Sequence, residues 1–272
     1  MPAREIHNHT IHYRESGAGP LVLLGHSSAS TGGQWKSLVE ILNPAHRCLA
    51  PDHIGYGKSD AYRGNPDLFT LEVDALDDLA AAHNTPFHAI GHSYGGALVS
   101  RLALRHPEKI RSLTLVEPTF FHLLRGSDNT FAYNEISQIA SRTVEYTERG
   151  EVEEATRGFI DYWVGPDGFD SMKEKTRHAV TKVIGKVCDE WRAIIPAETP
   201  TAEMLAGLPC PKLLISGRQT RASARGVVDL LKEIWPDAVC WELAGAGHML
   251  PVTHPEPVNE RIVQFLAEVE GD

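Results

Sequence analysis

No stretch of this chain stays apolar for roughly 18 residues, the least that spans a bilayer as a helix. Its opening, MPAREIHNHT, holds no apolar h-region. No secretory signal is therefore evident, and a cytoplasmic setting is expected. Cysteine is scarce: Cys48, Cys188, Cys210 and Cys240 form no CxxC pair. That excludes a disulfide scaffold, and the four read as buried reduced thiols. Basic charge is also short, with 26 Lys+Arg against 36 Asp+Glu and a net charge of −10. No basic patch stands out, so neither nucleic acid nor an anionic membrane surface is an expected partner. Histidine is plentiful, at 14 residues, but no HExxH or Cys/His ligand spacing accompanies it. His7, His9 and His12 read as flanking a hairpin turn, and no metal is expected. There is no internal repeat and no low-complexity linker.

What is present is ordinary globular composition over 272 residues, 42% hydrophobic and 23% charged, enough for one domain with a large core. Residues 4–15 read as two short strands around Asn8-His9. Leu21-Val22-Leu23-Leu24 is a continuous apolar run, the pattern of a strand buried on both faces. Trp35, Leu38, Ile41 and Leu42 are spaced for one helix face. Arg47–Ala50 is the next strand, and it ends in PDHIGYGKSD. Thr70 is the expected N-cap of a helix carrying Leu71, Leu76 and Leu79. Phe87–Ile90 is a strand running into GHSYGG and then a helix to about Arg105, and Ser112–Val116 is the strand after it.

Strands alternating with helices predict an α/β fold, a mostly parallel sheet with helices on both faces. The alternation lapses from Thr119 to about Leu208, where the pattern is helical. Val180, Val183, Ile184, Val187, Trp191 and Ile194 follow helical spacing there. It resumes with Lys212–Ile215, a helix near 226–234, a strand at Ala238–Leu243 and a last helix near Pro257–Val269. The expected organisation is a core of residues 1–118 and 209–272, with 119–208 inserted as an α-helical cap.

Gly91-His92-Ser93-Tyr94-Gly95 matches G-x-S-x-G between an expected strand and an expected helix, the context in which that motif holds a nucleophile. A serine hydroxyl needs a base to become nucleophilic. His248, in the small-residue loop Ala244–Leu250 after the last strand, is placed to supply it.

With Leu24-Gly25-His26-Ser27-Ser28, Pro51-Asp52-His53-Ile54-Gly55-Tyr56-Gly57-Lys58-Ser59, Gly91–Gly96 and Gly247-His248, the chain resembles the α/β-hydrolase superfamily over nearly its whole length. The resemblance implies a Ser-His-acid triad. Members usually carry the acid as Asp in the turn after the strand that follows the cap. Here that turn reads Ser216-Gly217-Arg218-Gln219-Thr220-Arg221, with Thr220 in the expected slot, and Asp229 lies well inside the following helix. Some relatives place the acid one strand earlier, which makes Glu117 the expected partner of His248. The alternative is a Ser-His dyad, with Glu117 capping a helix. The resemblance also implies an oxyanion hole built from the backbone N–H groups of Tyr94 and Ser28, with Ser27 as alternate donor.

Several residues carry plainer expectations. Asp52 is expected to hold a tight loop, His92 to pack locally and His254 to start the last helix. The cap aromatics Phe120, Phe121, Phe131, Tyr133, Trp163 and Trp191, together with Met249, are candidates for lining a substrate pocket. The reading that follows is a serine hydrolase of a carboxylic ester or lactone, acting without cofactor on a small to medium, mostly apolar molecule, as a monomer or homodimer. Ser93 argues against the dehalogenases and epoxide hydrolases of this fold, which use an aspartate nucleophile. Carbon–carbon bond hydrolases and a ligand-binding, receptor-like protein remain as alternatives. The net charge disfavours anionic substrates unless arginines such as Arg218 or Arg221 compensate.

Overall fold

The computed structural model describes residues 1–64, 67–126 and 128–271. Eight strands form one sheet: β1 (Ala3–Ile6), β2 (His9–Ser16), β3 (Leu21–Gly25), β4 (Arg47–Pro51), β5 (Phe87–His92), β6 (Ile110–Val116), β7 (Lys212–Gly217) and β8 (Val239–Leu243). Their order is β1-β2-β4-β3-β5-β6-β7-β8. The pairs β1–β2 and β2–β4 are antiparallel, and the rest are parallel. The hairpin turns at His7-Asn8, both at positive φ, one residue earlier than expected.

The continuous apolar runs are explained by burial on both faces. Leu21, Leu23, Leu49, Ala89, Leu113, Leu115 and Leu214 join one core cluster; Val22, Leu24, Cys48, Ala50, Ile90, Val116, Leu213 and Ile215 join the other. Successive strand residues alternate between faces, so each face receives every second side chain. Each fully buried Leu or Val contributes about 1.5–3 kcal/mol. The first cluster is covered by α2 (Leu68–Ala81), α3 (Tyr94–Arg105), α10 (Ala222–Ile234) and the insertion. The second is covered by α1 (Lys36–Leu42) and α12 (Pro255–Gly271), which follows the short α11 (Leu250–Thr253).

Between β6 and β7 every element is helical: a short turn at Phe121–Gly126, α4 (Thr130–Glu148), α5 (Val152–Val164), α6 (Gly168–Ser171), α7 (Glu174–Lys182), α8 (Ile184–Ile194) and α9 (Ala202–Ala206). These helices form an insertion between two neighbouring strands, over the stretch expected to be the cap. Its expected stripe runs over two helices, because the chain leaves helical geometry at Val183 (φ −108°, ψ 8°). Four local expectations need correction. Asp67, not Thr70, caps α2: its side chain accepts from the Thr70 N–H. Val183 is half-buried, not part of the core stripe. Ile41 is exposed. Cys240 is also exposed, because β8 is an edge strand, while Cys48, Cys188 and Cys210 are buried free thiols. Among the described residues no helix is long and apolar enough to cross a membrane, and none of the His, Cys, Asp and Glu groups is placed to hold a metal ion.

Candidate active site

The turn from β5 into α3 carries Ser93 at φ 54°, ψ −120°, a left-handed conformation that costs a non-glycine residue energy. Close packing holds it there. The Ser93 N–H donates to Val116 O at 2.9 Å. A Cβ on Gly91 would meet Gly95 O at 2.5 Å, and one on Gly95 would meet Gly25 O at 2.4 Å. Only glycines let the loop after β3 pass this close to the elbow.

His248 leaves the loop between β8 and α11, and its Nε2 lies 3.0 Å from Ser93 Oγ. Its Nδ1 donates to Glu117 Oε2 at 2.7 Å. Two further groups hold that carboxylate: the Gly217 N–H donates to Oε1 at 2.8 Å, and Thr220 Oγ1 donates to Oε2 at 2.6 Å. All three members of the chain are buried, Ser93 at 5% exposure, His248 at 3% and Glu117 at 1%. The carboxylate fixes which imidazole nitrogen carries the proton and leaves Nε2 free to accept from the serine. The imidazole stacks on the Trp163 indole at 4.0 Å between centroids. From its other surroundings, His92 Nε2 donates to His248 O at 2.9 Å. Burial, and next the neighbouring His248, hold the His92 imidazole well below its usual range and therefore neutral.

Tyr94 starts α3, so its N–H has no partner within the helix. Ser28 lies on the wall of the same cavity as Ser93. Ser27 does not remain available as a donor: its N–H and its hydroxyl both go to Gln34 Oε1, at 3.1 and 2.9 Å. His26 pins this loop. Its Nδ1 donates to Ser27 O at 2.7 Å, and its Nε2 accepts from the His53 N–H at 2.9 Å. Burial lowers its pKa to about 4, which keeps that pattern in place at neutral pH.

Ser93 and His248 open onto a cavity of about 210 Å³ with mostly apolar walls. Of the expected lining residues, Trp163, Trp191 and Met249 are there. Phe120 and Phe121 are not: both are fully buried in the core. Phe121 backs Trp163 and Trp191 at 6.3 and 6.2 Å, so it shapes the pocket from behind. Phe131 is exposed, and Tyr133 faces Arg125. The arginines are committed elsewhere, Arg218 to Glu242 and Arg221 to the carbonyls of Tyr162 and Asp161. Asp52 holds its loop, accepting from Arg14, the Gly32 N–H and the Lys58 N–H. His254 sits between α11 and α12. Three contributors had no signal in the sequence: Thr220 as a holder of Glu117, Gln34 as a clamp on Ser27, and Glu190 on the cavity wall.

Over 96% of its length the chain is 25% identical to the cis-3-alkyl-4-alkyloxetan-2-one decarboxylase of Shewanella oneidensis, of which 86% is covered. It is 26% identical, over 92% of its length and 95% of the relative's, to the pimeloyl-[acyl-carrier protein] methyl ester esterase of Chromobacterium violaceum. The fold matches the enol-lactonase of Burkholderia xenovorans with a TM-score of 0.78 and 20% identity, covering 98% of this chain and 100% of that one. Residues 21–261 match the alpha/beta hydrolase family, and with that match spanning most of its length the chain belongs to this family.

Proposed function

We propose that this hydrolase cleaves a carboxylic ester or lactone of a small, mostly apolar molecule through an acyl-enzyme on Ser93. The observation that carries the reading is the hydrogen-bonded run Ser93–His248–Glu117 opening onto an apolar cavity. A relative named as a methyl ester esterase, 26% identical, supports the same chemistry.

In this mechanism His248 Nε2 takes the Ser93 proton as Oγ bonds to the carbonyl carbon, and the carbonyl π electrons move onto its oxygen. The N–H groups of Tyr94 and Ser28 receive that oxyanion. Glu117 stabilises the imidazolium and keeps its own charge. On collapse the C–O bond breaks, and the leaving alkoxide takes the proton from His248. Water then repeats the sequence on the acyl-enzyme, releasing the acid and restoring Ser93. The apolar wall, Trp163 above all, keeps bulk water from the imidazole.

Release of p-nitrophenol from a short acyl ester, wild type against Ser93→Ala, tests this reading. The expected loss in kcat is about 10^6-fold. Hydrolysis that persists in the variant refutes the assignment of the nucleophile. A lactone followed by pH-stat in the same pair of proteins decides between the two substrate types.

A further inference from the structure

The His248 imidazole is engaged at its edge and on its face. Glu117 and Ser93 take its two nitrogens. The Trp163 indole lies over the ring itself, 4.0 Å between centroids and 29° from parallel. Trp163 is on α5, so the insertion supplies this contact and the core supplies the other two.

The indole has little freedom. Phe121 stacks behind it at 6.3 Å, and Tyr162 packs edge-on at 4.7 Å. The Tyr162 hydroxyl is fixed in turn by Glu135 Oε2 at 2.8 Å and Ser223 Oγ at 2.7 Å. The last carbonyls of a helix run short of partners. At the end of α5, Arg221 donates to two of them, that of Asp161 at 3.0 Å and that of Tyr162. Thr220, the residue before it, holds Glu117. One turn after β7 therefore steadies both the carboxylate at the edge of the ring and the indole on its face.

An aromatic face attracts a cation, tryptophan most strongly, and more so where water is excluded. His248 becomes that cation when it takes the Ser93 proton. Few other charges face the ring. Among the described residues Glu117 is its one ion-pair partner. His92, at 5.1 Å between centroids, is neutral. Glu190 of the cavity wall is paired with Lys186, and Arg221 is spent on carbonyls.

We propose that Trp163 is a positioning residue for the reaction: its indole face holds the His248 ring and stabilises the imidazolium, which favours proton transfer from Ser93. The inference rests on the hydrolase reading above and adds to it a residue of the insertion that acts through the base.

The test follows kcat/KM for a p-nitrophenyl ester against pH. Its acid limb reports the base of the free enzyme, not the fit of the substrate. In Trp163→Leu the wall stays apolar but the π face is gone. Losing a stabiliser of the protonated ring lowers the midpoint of that limb, by about one pH unit, or an about 10-fold weaker hold on the proton. Trp163→Phe keeps a ring, and its midpoint is expected to fall by less than about 0.5 unit. A role confined to lining the cavity would change KM and leave the midpoint in place. A midpoint that does not fall in Trp163→Leu, or that falls as far in Trp163→Phe, overturns the proposal. If Trp163→Leu does not fold, Trp163→Met takes its place. If wild type turns over no ester, the hydrolase reading fails separately. The same comparison is then read from the NMR titration of the His248 Cε1–H signal, assigned by its loss in His248→Gln.

Discussion

Replacing Glu117 by Gln changes one atom at the point where three donors converge. Its oxygens accept from the Gly217 N–H at 2.8 Å, from Thr220 Oγ1 at 2.6 Å and from His248 Nδ1 at 2.7 Å. A carboxylate accepts through both oxygens, and an amide through one. With the amide oxygen on Gly217, the NH2 faces Thr220 and Nδ1. The hydroxyl can rotate to accept, but the imidazole must move its proton to Nε2. That is the nitrogen 3.0 Å from Ser93 Oγ, so the base is lost. With the amide reversed, two N–H groups face each other at Gly217, at a cost of about 1–3 kcal/mol. At 1.4 kcal/mol per decade, that favours the inactive tautomer by roughly 5- to 150-fold. Added to the lost charge opposite the imidazolium, the expected fall in kcat is about 10^4-fold, the scale of the same acid-to-amide change in a Ser-His-Asp triad. The assay is kcat on a saturating p-nitrophenyl ester, with thermal unfolding of the same samples. A folded variant within about 10-fold of wild type would refute the argument and leave a Ser-His dyad.

Three further expectations follow from the packing. In Gly95→Ala the new Cβ meets the backbone of Gly25 at 2.4 Å and His26 O at 2.5 Å; neither can yield, so thermal unfolding should report a loss of about 4 kcal/mol or more, or no soluble protein. Lys186→Met leaves Glu72 and Glu190 without their shared cation, and a broken buried pair costs about 3–5 kcal/mol, read as a fall in Tm of about 10 °C. Glu72 gives a pH signature, because burial first, with Glu190 adding to it against Lys186, pushes its carboxyl up from 4.5 to about 7. The folded chain then binds that proton more tightly than the unfolded one, so its stabilising effect is complete below pH 4.5 and lost as pH rises to about 7. Wild-type Tm should fall across that window while Glu72→Gln stays flatter; equal slopes would remove Glu72 as the cause.

Much of this architecture could be read from the chain because its signals are local. Leu21–Leu24 and Lys212–Ile215 are apolar without alternation, as strands covered on both faces must be. Gly91, Ser93 and Gly95 are spaced by the sterics of one turn. His248 follows from its position after the last strand. The residues that escaped are those whose roles depend on distant partners. Lys186 and Glu190, four apart on a helix, have the spacing of a solvated surface pair. Only the docking of α8 against α2 buries them. Phe120 and Phe121 share the composition of pocket aromatics, and nothing local separates lining a cavity from backing one. Ser27 is a credible donor until Gln34, seven positions on, takes both of its hydrogens. The departure at Val183 left no mark, since the apolar spacing runs through it.

The position of Glu117 is itself explained by the sheet. β6 and β7 are parallel neighbours, Val116 lies opposite Ile215, and the Glu117 N–H donates to Ile215 O at 3.1 Å. The first residue beyond β6 therefore lies beside the end of β7, and a carboxylate can reach the histidine from either strand. Glu117 adopts φ 44°, strain that its buried hydrogen bonds hold in place. The turn after β7 gives up the charge but keeps part of the task. Thr220, in the slot where the resemblance led to the expectation of an acid, donates to Glu117 at 2.6 Å, and the Gly217 N–H holds the other oxygen. An aspartate at 220 together with Glu117 would set two carboxylates against one imidazole and drive one of them to bind a proton. In this chain the two positions act on one carboxylate: Glu117 after β6 carries the charge, and Thr220 after β7 is an uncharged donor to it.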